Sequence, residues 1–264
     1  MLGAIAGDII GSIFEFTNVK SEDFEFFAKG TRSTDDSVLT IATADAILNG
    51  KGYTEVYKEW SRKFIGAGYG ARFLNWVRSD NLSPYGSFGN GSAMRVSPVG
   101  FAYNTLEDVL KESQRSAEVT HNHPEGIKGA QSVASAIFLA RTGADKKEIR
   151  KYIEEKFSYD LSKSLDEIRP GYGFDETCQG SVPQAIRAFL ESSSWEDAVR
   201  KGISLGGDSD TLGCIVGGIA QAYYKGVPSA VSERVFAKIP SDFVPIIEEF
   251  NSRFNVVCRT GAAY

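Results

Sequence analysis

The stretch Ile127-Lys128-Gly129-Ala130-Gln131-Ser132-Val133-Ala134-Ser135-Ala136-Ile137-Phe138 places Ile127, Ala130, Ala134, Ile137 and Phe138 at steps of three and four. That is the period of one helical face, whereas a half-buried strand alternates at every second residue. The spacing recurs outward in both directions. Leu2, Ile5, Ile9 and Ile13 mark a first helix, and Val38, Ile41, Ala42, Asp45 and Leu48 a second. Leu106, Val109, Leu110 and Ser113 mark another, as do Ile149, Tyr152 and Ile153. Ser194-Trp195-Glu196-Asp197 reads as a capping-box variant opening one more, its serine and acidic side chains placed to satisfy free backbone N–H groups. The expected fold is all-α with polar loops. No low-complexity linker, charge block or solenoid repeat divides the chain, so one domain over 1–264 is expected.

With 264 residues, 42% of them hydrophobic and 24% charged, the chain is long enough to bury a full core. A net charge of -5 offers no basic footprint, so a nucleic-acid substrate is not expected and any such contact would have to be local. Cys178, Cys214 and Cys258 lack metal-type spacing, and their odd number argues against a disulfide framework. A reducing, cytoplasmic setting fits, with the protein a monomer. The apolar start is interrupted by Asp8 and Glu15, has no basic flank and is too short to span a bilayer, so neither a targeting signal nor a membrane association is expected.

Two acidic clusters lie about 170 residues apart, Ser33-Thr34-Asp35-Asp36-Ser37 and Gly206-Gly207-Asp208-Ser209-Asp210-Thr211, each followed by an apolar helix-like run. Taken singly, each is accounted for as a helix cap, since an acidic side chain accepts from exposed N–H groups and favours the dipole. Together they are hard oxygen donors suited to Mg²⁺, Mn²⁺ or Ca²⁺ rather than zinc. Glu15 would bring the carboxylates to five, which repel one another unless cations join them; two divalent ions nearly neutralise the set. The positive helix ends oppose a cation, which makes several carboxylates a requirement.

The 27 glycines gather at Gly66–Gly70, Gly86–Gly91, Gly171–Gly173 and Gly206-Gly207, where backbone can approach a ligand or take positive φ. Gly213, Gly217 and Gly218 fall inside an apolar helix, each at a cost of roughly 1 kcal/mol against alanine, and imply close helix packing. Gly86-Ser87-Phe88-Gly89-Asn90-Gly91-Ser92-Ala93-Met94-Arg95 precedes a helix and offers N–H groups to a phosphate, although it is neither a P-loop nor a dinucleotide-binding turn. The two histidines, His121 and His123, would fall on different faces of a helix, which disfavours a zinc pair. Loop histidines bonded to a ligand or to backbone fit better.

Six segments in order resemble the ADP-ribosyl-glycohydrolase family: Gly7-Asp8-Ile9-Ile10-Gly11-Ser12-Ile13-Phe14-Glu15, Thr34-Asp35-Asp36, Gly86 to Arg95, Thr120-His121, Gly173-Phe174 with Ser181-Val182-Pro183-x-Ala185-Ile186, and Gly206 to Gly213. The resemblance covers most of the chain and implies a compact orthogonal all-α bundle with a binuclear Mg²⁺ or Mn²⁺ centre. It implies Thr34, Asp35, Asp36, Asp208, Asp210 and Thr211 as metal ligands. It further implies that Glu15 reaches the substrate, that Gly86, Ser87, Phe88, Gly89 and Asn90 surround the diphosphate and distal ADP-ribose, and that His121 lies beside it. Tyr172 and Phe174 are placed to stack on adenine or its ribose, with core packing the other account of each.

The activity this implies is hydrolysis of the bond at ribose C1″ of an ADP-ribosylated side chain or small conjugate. Such cleavage passes through an oxocarbenium-like state and needs an activated water. Asp36 or Asp208 would hold or deprotonate that water, and Glu15 would position substrate or act as acid or base. The proline run resembles members that cleave O-linked ADP-ribose. A non-catalytic ADP-ribose-binding module has no need of every carboxylate, and a helical two-metal phosphohydrolase does not account for the Gly86–Arg95 loop.

Overall fold

The chain begins with a helix buried on every side: all ten residues of α1 (Leu2–Gly11) are inaccessible to solvent, Asp8 among them. After an irregular stretch come α2 (Asp35–Asn49), α3 (Tyr53–Lys63), α4 (Ala71–Arg78), α5 (Gly91–Met94), α6 (Ser97–Ala102), α7 (Leu106–Glu118), α8 (Pro124–Thr142), α9 (Lys146–Phe157) and α10 (Leu165–Ile168). The chain continues through α11 (Cys178–Glu191), α12 (Trp195–Ile203), α13 (Ser209–Tyr223), α14 (Ser229–Phe236) and α15 (Phe243–Arg253). Two short parallel strands, β1 (Val227–Pro228) and β2 (Arg259–Thr260), and an isolated antiparallel bridge between Gly89 and Thr177 depart from the all-α reading among the described residues. The structure is a computed structural model that describes residues 1–260; the last four residues of the expected 1–264 domain lie outside it.

Glycine decides how α1 meets α13. A Cβ on Gly7 would sit 1.9 Å from the Gly213 carbonyl oxygen, one on Gly3 2.3 Å from that of Gly217, and one on Gly11 2.3 Å from that of Ser209. The pairs run in opposite order, so the helices are antiparallel and in backbone contact. Only residues without a side chain permit this approach. The packing expected of Gly213 and Gly217 is observed, and its partner is the Gly3, Gly7, Gly11 series. As a result the C-terminal end of α1 stands beside the N-terminal end of α13.

The first helix is shorter than its periodicity suggests. Ile13 lies beyond its end: the Ser12 hydroxyl donates to the Ile9 carbonyl (2.9 Å) and the chain turns, with Phe14 N–H bonding Gly11 (2.8 Å). Other predicted features hold. Ser194 caps α12 by accepting from Asp197 N–H (3.1 Å), and His123 caps α8 through Nδ1, which accepts from Glu125 N–H (3.1 Å). Basic side chains close several helix C-termini, where carbonyls lack partners. Lys58 donates to the carbonyls of Trp76, Ser79 and Asn81 at 2.8, 2.7 and 2.8 Å, fixing the chain that leads to Gly86. No helix of the described residues is long and apolar enough to cross a membrane.

Candidate functional site

Three helix ends converge on one set of oxygens. α2 starts at the first acidic cluster, with Thr34 as its N-cap, and α13 starts at the second, with Asp208 in the cap position. Asp8, near the C-terminal end of α1, ties the first start in place. It accepts from Thr34 N–H (3.0 Å), Thr34 Oγ1 (2.6 Å), Ser37 N–H (3.1 Å) and the Ser37 hydroxyl. The Thr34 hydroxyl gives its proton to Asp8 and accepts from Asp36 N–H (3.4 Å) as the helix cap, which leaves one lone pair uncommitted, and Asp36 Oδ2 lies 3.4 Å away. A hydroxyl so held is ready to ligate a cation.

Carboxylate oxygens of Asp8, Asp36 and Asp210 lie within 4.8 Å of one another, and so do those of Glu15, Asp208 and Asp210. Asp210 belongs to both triads. Asp35 lines the same cavity but stands outside them, its side chain against Gly68, where a Cβ would come within 3.3 Å of Oδ1. Burial of so many acids disfavours the charged forms. Burial, then Asp8, push Asp35 up to about 8; burial with Asp8 and Glu15 push Asp210 up to about 7. Glu15 rises to about 7 through burial and the Asp208 charge, with Arg32 opposing, and Asp8 to about 6 through burial. Asp36 and Asp208 are driven well above the carboxylate range by burial and by Asp210.

These residues fit divalent cations. The donors are all oxygen, the negative charge is concentrated and buried, and Asp36 Oδ1 is buried without a hydrogen-bond partner. Thr211 is 3% exposed and its N–H bonds Asp210 Oδ1 at 3.1 Å; Asn90 Nδ2 donates to Asp208 Oδ2 at 2.7 Å. Each of these bonds fixes a carboxylate without neutralising it.

A cavity of about 580 Å³ opens above the carboxylates. Ser87, Phe88, Gly89, Asn90 and His121 line it on one side, and Phe16 and Phe174 on another. The last two are 83% and 51% exposed and stack with centroids 6.2 Å apart, so they overhang the mouth rather than fill the core. Gly86 itself is not in the lining; its φ of 67° turns the chain into the loop. The amides of Gly86, Ser87, Gly89 and Asn90 are already bonded to Asn122 Oδ1, Thr120 O, Ser87 Oγ and Glu176 O, so the expected phosphate cradle of N–H groups is not formed at those four positions. The helix that follows, α5, is only four residues long.

Tyr172 is not brought to this cavity. Lys20 draws its carbonyl inward, bonding Arg169 O, Tyr172 O and Leu205 O at 3.0, 2.6 and 2.5 Å, and Tyr172 lines a second, open cavity with Lys128 and Tyr159. Of the Ser181–Ile186 run, Pro183 and Gln184 line that second cavity, Ser181, Val182, Ala185 and Ile186 are buried in α11, and none lines the cavity above the carboxylates.

Three residues went unread as site residues. Asp8 looked like one acid in an apolar helix; the clue was that an unpaired carboxylate has no place there. Arg95 and Arg72 line the cavity wall, and Arg95 is fully buried with its guanidinium 4.1 Å over the Tyr57 ring.

A family model described as ADP-ribosylglycohydrolase matches residues 1–259. The chain is similar to "ADP-ribosylhydrolase ARH3" of Mus musculus, 27% identical over 85% of this chain and 82% of the relative. It is also similar to "ADP-ribosylarginine hydrolase Tri1" of Pseudomonas putida (strain GB-1), 28% identical over 89% of this chain and 72% of that protein. A solved structure named "ADP-ribosylglycohydrolase-related protein complex" shares the fold at a TM-score of 0.65 and 22% identity, covering 97% of this chain and 95% of its own.

Proposed function

The chain belongs to the ADP-ribosylglycohydrolase family, a family of hydrolases, and from that premise we propose that it is a divalent-metal-dependent enzyme cleaving the glycosidic bond at ribose C1″ of ADP-ribosylated side chains or small conjugates. The observation that carries this reading is the pair of carboxylate triads sharing Asp210 at the floor of a cavity wide enough for a nucleotide-sized ligand. Two Mg²⁺ or Mn²⁺ ions would be held by Asp36, Asp208 and Asp210 with Thr34, Asp35 and Thr211, and they would supply Lewis acidity that activates water and orients sugar hydroxyls.

The chain's own groups then divide the remaining work. Asp36 and Asp208 hold the attacking water and draw its proton; the Asn90 amide keeps Asp208 from rotating away. Glu15, half-buried and grouped with Asp208 and Asp210, serves as acid or base at the sugar or positions it. Phe88, Phe174 and the glycine loop close around the distal nucleotide, and His121 lies beside it. Burial of the carboxylates excludes bulk water from the reacting carbon.

The test is incubation with ADP-ribosyl-arginine, ADP-ribosyl-serine and O-acetyl-ADP-ribose, with and without Mg²⁺, following ADP-ribose release. Cation-dependent release from at least one conjugate is expected, and the responsive arm names the linkage. Asp210→Ala is expected to lower turnover at least about 10³-fold, since it removes the residue common to both triads. Binding of ADP-ribose with no release from any conjugate would make the protein a binding module.

A further inference from the structure

We propose that Arg95 and Thr120 form a relay that locks His121 as a neutral imidazole protonated at Nε2, so that it presents a single N–H donor to an acceptor oxygen of the bound diphosphate–ribose ligand. The nature of the ligand rests on the function proposed above; the tautomer does not.

The hydrogen bonds run in one direction only. Arg95 Nη2 donates to Ser116 O (2.8 Å) and to Thr120 Oγ1 (2.9 Å). A guanidinium has donors alone and keeps its charge, so Thr120 Oγ1 is the acceptor in that bond. Thr120 Oγ1 also lies 2.7 Å from His121 Nδ1. Were Nδ1 protonated, the threonine oxygen would receive two bonds and its own proton would face no acceptor, in a site where Arg95 and Thr120 are both 0% exposed. Buried donors are rarely left so. With the threonine proton given to Nδ1, the Thr120 hydroxyl and His121 Nδ1 are both satisfied and Arg95 Nη2 keeps its two acceptors, although Arg95 Nε and Nη1 have no partner in either arrangement. The ring then carries its one proton on Nε2.

A doubly protonated ring fails for the same reason and would set a second cation beside Arg95 and Arg72. Burial and those two guanidinium groups hold His121 well below the ordinary imidazole range. The far nitrogen is left for a ligand. Nε2 makes no hydrogen bond among the described residues, and His121 lines the cavity. It stands over the glycine loop, where a Cβ on Gly91 would come within 3.2 Å of it and one on Gly89 within 3.7 Å. With four loop amides committed to the protein, this N–H supplies a donor that the loop backbone does not at those positions. Arg95 and Thr120 are thus positioning residues, acting on substrate through His121.

The chain has only two histidines, so the test is spectroscopic. Full-length protein with ¹⁵N-labelled histidine, in Mg²⁺ at neutral pH, is examined by two-bond ¹H–¹⁵N correlation, with His123→Gln to assign the signals. The neutral Nε2–H pattern is expected for His121, retained in Thr120→Ser and lost in the near-isosteric Thr120→Val. ADP-ribose affinity should fall about tenfold in Thr120→Val and remain near wild type in Thr120→Ser, the effect of one hydrogen bond. An Nδ1–H or imidazolium pattern in the wild type overturns the proposal, as does a Thr120→Val protein with the wild-type pattern. The wild-type spectrum decides the tautomer even if the valine variant fails to fold. Failure of the wild type to bind ADP-ribose would instead remove the functional reading, and with it the ligand assigned to the N–H.

Discussion

Asp8 is the residue on which the first acidic cluster depends. A carboxylate inside an apolar helix is tolerated only when its lone pairs are taken up, and four bonds from Thr34 and Ser37 do this. The same bonds set the entry of α2 and the direction of the Thr34 hydroxyl. An amide at this position would keep one acceptor oxygen and turn an NH₂ group toward donors. Asp8→Asn is therefore expected to weaken divalent-cation binding about 10–100-fold, the range found when a partner that orients metal ligands is removed. Titration calorimetry with Mn²⁺ checks this, and unchanged affinity would strip Asp8 of the role.

At the scale of elements, the α1–α13 contact carries the geometry of the site, because it sets Glu15 beside Asp208 and Asp210. Gly7→Ala would drive a methyl to 1.9 Å from the Gly213 oxygen, a backbone atom that cannot swing aside. The helices must separate, and a loss of about 1–3 kcal/mol or more is expected in urea unfolding. Gly52→Ala is the control, since nothing lies within 4 Å of the added Cβ; it should shift stability by about 0.5 kcal/mol at most. Equal effects in the two variants would refute the close-packing account. Periodicity made the buried faces of α2, α7, α8 and α9 legible, because each face is a local property. Which face packs on which is not local: Gly7 and Gly213 are more than 200 residues apart, and the four-residue spacing of Gly3, Gly7 and Gly11 has meaning only beside its partner. The end of α1 was overread for a related reason, since Ile13 keeps the helical spacing although the chain has already turned.

Over the whole molecule, the two acidic clusters are legible because acids, hydroxyls and glycines sit together in sequence, whereas Asp8 is hidden by its apolar neighbours and the choice between stacking and core packing at Tyr172, which packs against the core, turns on a loop that Lys20 holds. Once assembled, the carboxylates make stability depend on pH in a direction that can be derived. Asp8, Glu15, Asp210 and Asp35 rise from ordinary values of 3.8 or 4.5 to about 6, 7, 7 and 8. Between those limits the folded form holds protons that the unfolded chain has released, so stability must fall as pH rises through the window from about 4 to about 8. For these four, below that window both forms are protonated and their contribution is complete; above it both are ionised and their loss is constant. A cation binds the ionised acids and competes with the protons, so its stabilisation grows as pH rises. The melting temperature of chelator-treated protein is therefore expected to drop between about pH 5 and pH 8.5, with saturating Mg²⁺ restoring it at the upper pH and adding little at the lower. A melting temperature flat with pH, or a Mg²⁺ shift equal at both ends, would mean that these acids do not act as one cation-binding set.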